Sequence, residues 1–227
     1  MLALWVVVPI VSVLTVFYVW LQLPYRKWRK SRPWSQAGQP GEIAGTCTKK
    51  PSRTVSTLVV LGSGGHTSEM LKMVRHLSPD TYTPLWYVIA STDHTSAKRI
   101  PSEHLESGRS RLCKIPRSRE VGQSYVTSVW TTLVACFHSV AVVARARPDL
   151  VLVNGPGTCI PVCAAAFALR VLRVKPHSRI VFCESFCRVK SLSLSGRIMY
   201  FFADRFIVHW PELLDQYPRA EYLGQLM

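Results

Sequence analysis

The stretch TLVVLGSGGHTSEML, residues 57–71, decides the fold of this 227-residue chain. Its first five residues are β-branched or leucine, and the last four are apolar, which predicts a buried strand over 57–61. Glycines at 62, 64 and 65 then predict a tight turn, and a helix follows over 67–77. Glycines between a strand and a helix let backbone N–H groups approach an anion at the helix N-terminus. The stretch therefore predicts an α/β fold with an anion-binding turn.

The same alternation of strand and helix continues to the end of the chain. Apolar strand-like runs lie at 85–90, 111–115, 150–153, 179–183 and 205–209, with a possible last strand at 221–223. Helical stretches lie between them at 124–145, 160–172 and 194–203, and a short helix follows Pro211. Continuous apolar strands separated by helices indicate a parallel sheet covered on both faces. The predicted body is one Rossmann-like, doubly wound parallel sheet.

A hydrophobic segment precedes this body. Residues 2–23 carry no charge, and a helix of roughly 20 apolar residues spans a bilayer. The run predicts one transmembrane helix, and the apolar stretches 126–144 and 158–169 are interpreted as buried helices of the sheet. Basic residues follow the span directly and no acidic residue occurs before Glu42, so the positive-inside rule places the body in the cytosol. The basic cluster is Arg26, Lys27, Arg29, Lys30 and Arg32.

These features predict three parts: a transmembrane anchor over 2–23, a basic juxtamembrane segment and linker over 24–56, and the Rossmann-like domain over 57–227. The net charge of +15 indicates attraction to a negative membrane surface or a phosphate-bearing ligand. Nucleic acid is the alternative, but no RNA-binding or DNA-binding motif is present, so none is expected. The seven cysteines show no zinc-ligand spacing, and no metal is predicted. The pairs at 159/163 and 183/187 are expected to be reduced, buried small residues.

The glycine turn differs from two common nucleotide-binding motifs. It lacks the lysine of a P-loop, which disfavours a kinase. It also lacks the third glycine of a dinucleotide fingerprint, where Thr67 stands, and no acidic residue lies about twenty positions further on. We therefore expect no bound cofactor. His66 at this turn is placed at the carboxyl end of the sheet, where α/β folds bind ligands.

Five segments in order carry a family resemblance. They are GSGGHTSEML (62–71), IPRSREV (115–121), NGPGTCIPVC (154–163), ESFCRVKSLSLSG (184–196) and FIVHWPELLDQYP (206–218). The first resembles the loop of the MurG-like, GT-B glycosyltransferase N-terminal domain. Together they resemble the family of membrane-anchoring subunits of the UDP-N-acetylglucosamine transferase that adds the second GlcNAc to dolichol-linked oligosaccharide in asparagine-linked glycosylation.

The resemblance implies a function and partners. The chain is expected to be one half of a GT-B enzyme, an N-acetylglucosaminyldiphosphodolichol N-acetylglucosaminyltransferase subunit that is inactive without a soluble donor-binding GT-B subunit. UDP-GlcNAc is then the donor and dolichyl-diphosphate-GlcNAc the acceptor, joined by a β1,4 bond. The expected location is the endoplasmic reticulum membrane, single-pass, with a luminal N-terminus. Residues 222–227 are a candidate for part of the subunit interface.

The site residues are assigned under that resemblance. His66 and Glu184 are the candidate catalytic residues, with loop shaping and an ion pair to Arg188 as their respective structural alternatives. The glycine loop is expected to face a diphosphate, as are the arginines of IPRSREV, and the turn at 154–157 is a second such loop. The predicted substrate-binding residues are Gly62, Ser63, Gly64, Gly65, Thr67, Arg117, Arg119, Asn154, Gly155, Gly157 and Arg188. The competing hypothesis is a non-catalytic membrane scaffold with a vestigial Rossmann site.

Overall fold

The computed structural model describes residues 54–106, 108–118, 124–155 and 157–226 of the chain. The predicted anchor and the basic segment up to residue 53 lie outside these ranges, so both stay predictions. Among the helices within the described ranges, none has the length and apolar character needed to cross a bilayer.

Strands and helices alternate along the described chain. The strands are β1 (Thr57–Val60), β2 (Leu85–Ala90), β3 (Ser110–Ile115), β4 (Leu150–Asn154), β5 (Arg179–Cys183), β6 (Arg205–Val208) and β7 (Glu221–Tyr222). The helices are α1 (Gly65–Arg75), α2 (His94–Arg99), α3 (Ser102–Glu106), α4 (Tyr125–Ala146), α5 (Cys159–Val171), α6 (Leu194–Phe202) and α7 (Leu213–Gln216).

All strands join one parallel sheet in the order β3-β2-β1-β4-β5-β6-β7. Strand β1 lies inside it, with Thr57 opposite Leu85 of β2 and Leu150 of β4. The chain builds outward from β1 to β3 and then returns to place β4 on the other side of β1. This reversal is a topological switch point, and ligands of open α/β sheets bind at the carboxyl ends of the strands there. The switch point lies between β1 and β4.

Helices cover both faces of the sheet. On one face, Val59, Tyr87 and Ile89 pack with the apolar side of α1, including Met70 and Val74. On the other face, the alternate strand residues pack against α4, α5 and α6. Successive side chains of a strand point to opposite faces, so nearly uninterrupted apolar strands are required when both faces are covered. The predicted doubly wound parallel sheet is confirmed.

The sequence did not predict the two short helices between β2 and β3. Six-residue α2 and five-residue α3 are too short to show a helical hydrophobic period. Helix α2 begins instead with a local cap, because Asp93 Oδ1 accepts a hydrogen bond from the backbone N–H of Ser96 over 3.0 Å. The cysteine prediction needs one correction. Cys159, Cys163 and Cys183 are buried free thiols, whereas Cys187 is exposed because it lies in the loop after β5.

Candidate functional site

The candidate site lies at the carboxyl ends of β1 and β4. Strand β1 leads into the glycine turn and α1, and β4 ends at Asn154 and Gly155. Because β1 and β4 are hydrogen-bonded neighbours, the two turns lie side by side at the switch point. The structure therefore brings together the two turns that the sequence singled out separately.

The glycine turn is fixed at its base by buried residues and is exposed to solvent on its outer side. Gly64 adopts a positive φ of 65° and immediately precedes α1, which has no acidic residue in its first turn. The backbone N–H groups at the start of α1 have no intrahelical partners, and the exposed Ser63, Gly64 and Gly65 surround them. Open N–H groups at a helix N-terminus favour an anion, which agrees with the predicted diphosphate contact.

Four of the predicted substrate-binding residues are buried: Gly62, Thr67, Asn154 and Gly155. The Thr67 hydroxyl contacts the Gly62 carbonyl oxygen and lies 2.6 Å from Ser96 Oγ. Ser96 Oγ lies 2.9 Å from that same carbonyl oxygen and 2.5 Å from Asp93 Oδ2. The structure thus corrects the prediction for two of the four: Gly62 and Thr67 fix the base of the turn, and their polar groups are used inside the protein.

His66 is the second residue of α1 and leans over the end of β4. Its Nδ1 lies 3.0 Å from Asn154 Oδ1. Gly155 has a positive φ of 57°, and a Cβ atom added there would lie 2.9 Å from Cε1 of the imidazole. The absence of a side chain at Gly155 therefore gives the ring its place. About a third of the His66 side chain, 35%, is exposed, so the ring is accessible from the crevice that open α/β sheets form at the switch point.

Glu69 joins the elements around this histidine. Its Oε2 accepts a hydrogen bond from Asn154 Nδ2 over 2.7 Å and lies 3.5 Å from His66 Nδ1. Its Oε1 accepts from the hydroxyl of Ser185, just beyond β5, over 3.1 Å. The sequence analysis assigned no role to Glu69 or Ser185. The signal was available for Glu69, because residues three apart on a helix share a face.

The electrostatics follow from these contacts. The nearby Glu69 carboxylate raises the pKa of His66, and this effect outweighs the opposing effect of partial burial. Burial alone would raise the pKa of Glu69, but its contacts with His66, Asn154 and Ser185 lower it overall. Glu69 is therefore ionised at neutral pH, and His66 titrates above the usual value of 6.5.

Glu184 follows β5 and is 0% exposed. Its Oε1 accepts from the Ser185 N–H over 3.0 Å, and its Oε2 accepts from the N–H and hydroxyl of Ser193 over 3.0 and 3.1 Å. The Ser193 hydroxyl also accepts from the Gly196 N–H and so caps α6. Burial raises the pKa of Glu184. Both oxygens are occupied and enclosed, so the geometry assigns Glu184 to holding the loop between β5 and α6.

An ion pair with Arg188, the structural alternative for Glu184, is not formed directly between these two described side chains, and the Arg188 charge only partly offsets the effect of burial on the pKa of Glu184. Arg188 lies exposed in the loop, and the three hydrogen bonds from Ser185 and Ser193 take the place of that ion pair. The substrate contact predicted for Arg188 stays a prediction.

Arginines flank the glycine turn. Arg117 Nη2 donates to the Ser63 hydroxyl over 3.4 Å, and its predicted diphosphate contact stays a prediction. Arg99 of α2, which the sequence analysis did not select, donates to the Gly64 carbonyl oxygen and the Ser68 hydroxyl, both over 3.0 Å. Arg119 lies outside the described residues, and Gly157 is exposed in the turn before α5. The two guanidinium groups add positive charge where the open N–H groups of α1 lie.

No group of three or more His, Cys, Asp or Glu side chains that could hold a metal ion is found in the parts of the chain that the structure describes. The arrangement at the switch point comprises an accessible imidazole beside a half-buried carboxylate, next to a turn with open backbone N–H groups. The imidazole is suited to accepting a proton from a substrate hydroxyl group, and the turn beside it is suited to contacting a negatively charged group of the same substrate.

Comparison with known proteins agrees with the family resemblance. The model of the family described as "Oligosaccharide biosynthesis protein Alg14 like" matches residues 57–226. The UDP-N-acetylglucosamine transferase subunit ALG14 of Rattus norvegicus is 47% identical over 186 residues, 78% of this chain and 85% of the relative. The human protein of that name is 45% identical over 186 residues, 78% of this chain and 85% of the relative. The Yarrowia lipolytica protein is 44% identical over 176 residues, 75% of this chain and 80% of the relative.

A solved structure supports the fold. The crystal structure of Acinetobacter baumannii MurG aligns with a TM-score of 0.50 at 15% identity, over 69% of this chain and 42% of that one. The MurG-like Rossmann fold that the family resemblance implied is therefore confirmed. The family model spans the sheet from β1 to the residues after β7, and the relative from Rattus norvegicus is 47% identical. For both reasons, the chain belongs to the Alg14-like family of oligosaccharide biosynthesis proteins.

Proposed function

We propose that this chain is the membrane-attached, acceptor-side subunit of a heteromeric UDP-GlcNAc transferase. With a soluble donor-binding partner it transfers GlcNAc from UDP-GlcNAc to dolichyl-diphosphate-GlcNAc at the cytosolic face of the endoplasmic reticulum. The observation that carries the proposal is His66 at the switch point, accessible to the crevice and adjacent to the anion-binding turn of α1. Relatives named as UDP-N-acetylglucosamine transferase subunits support the class of reaction.

The chemistry follows from the site. The acceptor diphosphate lies at the N–H groups of Gly64 and Gly65, with Arg117 and Arg99 beside it. The attacking sugar hydroxyl gives its proton to Nε2 of His66 as its oxygen bonds to the anomeric carbon of the donor. The bond from that carbon to the donor phosphate breaks, and UDP leaves with the electron pair. Inversion at the carbon gives the β1,4 bond.

The naming of relatives as transferase subunits supports a partner. A GT-B enzyme places its site between two Rossmann-like domains, whereas the sheet described here is one such domain and aligns with 42% of MurG. The second domain, which binds most of UDP-GlcNAc, comes from the partner. Strand β7 is an edge strand of the sheet, and Tyr222 and Leu223 at its end are exposed. An exposed sheet edge with apolar side chains favours docking of another chain, which supports residues 222–227 as part of the interface.

The helical layer supports attachment to a membrane. Trp130, Leu133, Phe137 and Val140 recur on one side of α4, and Trp130 and Phe137 are 71% and 79% exposed. Helix α6, on the same face of the sheet, exposes Leu194, Ile198, Phe201 and Phe202. Helices α4, α5 and α6 contain no Asp or Glu, and Arg145 and Arg197 are exposed on them. An apolar surface with only positive charge is suited to an anionic bilayer.

Helix α4 follows β3 and runs back along the sheet, so its N-terminal half, including Trp130, lies toward the carboxyl edge that carries the site. The outer side of this layer, defined by the exposed residues of α4 and α6, would therefore bring the crevice to the lipid headgroups. The predicted anchor over 2–23 would hold it there.

The test compares the full chain with two variants, each co-expressed with its donor-binding partner. His66→Gln is expected to retain the partner on co-purification and to lose GlcNAc transfer to a dolichyl-diphosphate-GlcNAc analogue by about 100-fold or more. Deletion of residues 1–34 is expected to move both chains off the membrane while the complex persists. Undiminished transfer by His66→Gln with the partner bound would establish the scaffold hypothesis instead.

A further inference from the structure

One carboxylate connects three elements of the site. Glu69 on α1 accepts hydrogen bonds from Asn154 at the end of β4 and from Ser185 beyond β5, and it lies 3.5 Å from His66 Nδ1. Its side chain is only 14% exposed, so it faces the protein and not the crevice. Glu69 thus contacts Asn154, which holds the His66 ring, and is not placed to contact a substrate.

The charge of Glu69 decides how the Asn154 amide is turned. An ionised carboxylate only accepts hydrogen bonds, so the Asn154 group that faces Glu69 over 2.7 Å must be the NH₂ group. The opposite orientation would place two acceptor oxygens against each other. The carbonyl oxygen of Asn154 is consequently the atom that faces His66 Nδ1 over 3.0 Å.

The orientation of Asn154 in turn fixes the tautomer of His66. A carbonyl oxygen accepts but does not donate, so Nδ1 of the neutral imidazole must carry the hydrogen. The lone pair of the neutral ring is then on Nε2. Within the described residues, no group forms a hydrogen bond with Nε2, and a third of the side chain is exposed.

We infer that Glu69 is a positioning residue that, through the Asn154 amide, keeps the proton of neutral His66 on Nδ1 and leaves Nε2 free to accept the proton of the acceptor hydroxyl. The catalytic part of this inference rests on the proposed function, whereas the tautomer does not. After proton transfer both ring nitrogens carry hydrogen. The positive ring is then stabilised by the Glu69 charge and the Asn154 carbonyl, in the manner of a carboxylate behind a catalytic histidine.

Other charged and titratable groups lie around this network. Glu184, from beyond β5, also raises the pKa of His66, as a lesser effect than Glu69. Cys183 of β5 and the buried His209 after β6 interact with Glu69, and Cys183 Sγ lies 3.3 Å from His209 Nε2. Because burial lowers the pKa of His209 and raises that of Cys183 to about 12, both are neutral near pH 7. Glu69 and Glu184 are the carboxylates of this network whose charges raise the pKa of His66.

The tautomer can be measured directly. The full chain with ¹⁵N-labelled histidine, in detergent micelles with its partner, is examined by NMR above the His66 titration. We expect Nδ1 to show a protonated shift and Nε2 an unprotonated one. In Glu69→Ala the Asn154 amide is free to turn, and the two tautomers should mix. The matched control variant Glu212→Ala, which removes an exposed carboxylate elsewhere, should leave the two His66 nitrogen shifts unchanged. A wild-type ring protonated on Nε2 would overturn the inference whatever the activity.

Kinetics separate the charge of Glu69 from its shape. Glu69→Gln keeps an acceptor oxygen for the Asn154 amide but removes the negative charge. The acidic limb of kcat/KM, which reports the free enzyme, should move to lower pH by about one pH unit. Glu69→Ala should reduce kcat by about tenfold or more with a smaller change in KM.

If both variants kept the wild-type pH profile and kcat, Glu69 would have only a structural role. If His66→Gln were also fully active, the proposed function would fail and the NMR result would still decide the tautomer.

Discussion

Gly155 gives His66 the space its ring occupies, since a Cβ atom at position 155 would lie 2.9 Å from Cε1 of the imidazole. The same glycine has a φ of 57°, which other residues adopt at a cost of about 1 kcal/mol. Both facts concern one turn at the end of β4. The backbone at Gly155 and the orientation of the candidate base are therefore coupled.

Gly155→Ala tests this coupling. The methyl group should displace the imidazole by a fraction of an ångström and destabilise the turn by about 1 kcal/mol. We expect transfer activity to fall by about 10- to 100-fold, because small misplacements of a catalytic group are costly. Circular dichroism should show a folded protein, and kcat with the partner present gives the loss. Unchanged kcat would mean that the position of the His66 ring does not limit the reaction.

Glu184→Ala should act on stability. The substitution leaves the buried Ser185 N–H and the half-buried Ser193 N–H without their acceptor, and the loss should be on the order of 3 kcal/mol of unfolding free energy. Urea denaturation of the full chain measures this loss of unfolding free energy. Exposed Glu212→Ala is the matched control and should change stability by less than about 0.5 kcal/mol. Equal denaturation midpoints for the two variants would contradict the assigned role of Glu184.

Gly196→Ala approaches the same carboxylate from the other side. The added methyl group would collide with Glu184 Oε2, and Ser193 Oγ would lie 3.0 Å away. Alanine normally stabilises a helix relative to glycine by about 1 kcal/mol. Here we expect net destabilisation, because the buried carboxylate must give up its hydrogen bonds with Ser193. A rise in melting temperature would show that Glu184 adapts without cost.

The sequence predicts the sheet well because its strands are buried on both faces and therefore read as apolar runs. It predicts the site only in part. His66 and Asn154 follow strands and are noticed for that reason, whereas Glu69 acts through contacts with β4 and β5 that depend on strand order. Glu184 shows the opposite error, since its place after a strand suggested a base. The contact of Ser185 with one oxygen and the contacts of Ser193, nine residues further on, with the other reveal that both oxygens are occupied.

Gly65→Ala tests the anion-binding turn. Position 65 is exposed at the start of α1, and a Cβ atom there would meet nothing within 4 Å. Folding stability should therefore stay the same or rise slightly, since alanine favours a helix. The methyl group should nevertheless hinder a diphosphate from approaching the N–H groups, and KM for the dolichyl-diphosphate acceptor should rise by about tenfold. An unchanged KM would place the diphosphate elsewhere.

The outer side of α4 provides the last prediction. Trp130→Gln combined with Phe137→Gln removes two exposed rings, each contributing about 1.5–3 kcal/mol when buried in a lipid interface. KM for a long-chain acceptor in anionic vesicles should rise by about tenfold, whereas KM for a short-chain acceptor free in solution should not change. Leu105→Gln, which alters an exposed apolar residue on α3, is the matched control and should affect neither. Equal losses with both acceptors would assign these rings to the fold or the partner, and no loss with vesicles would exclude this surface from membrane contact.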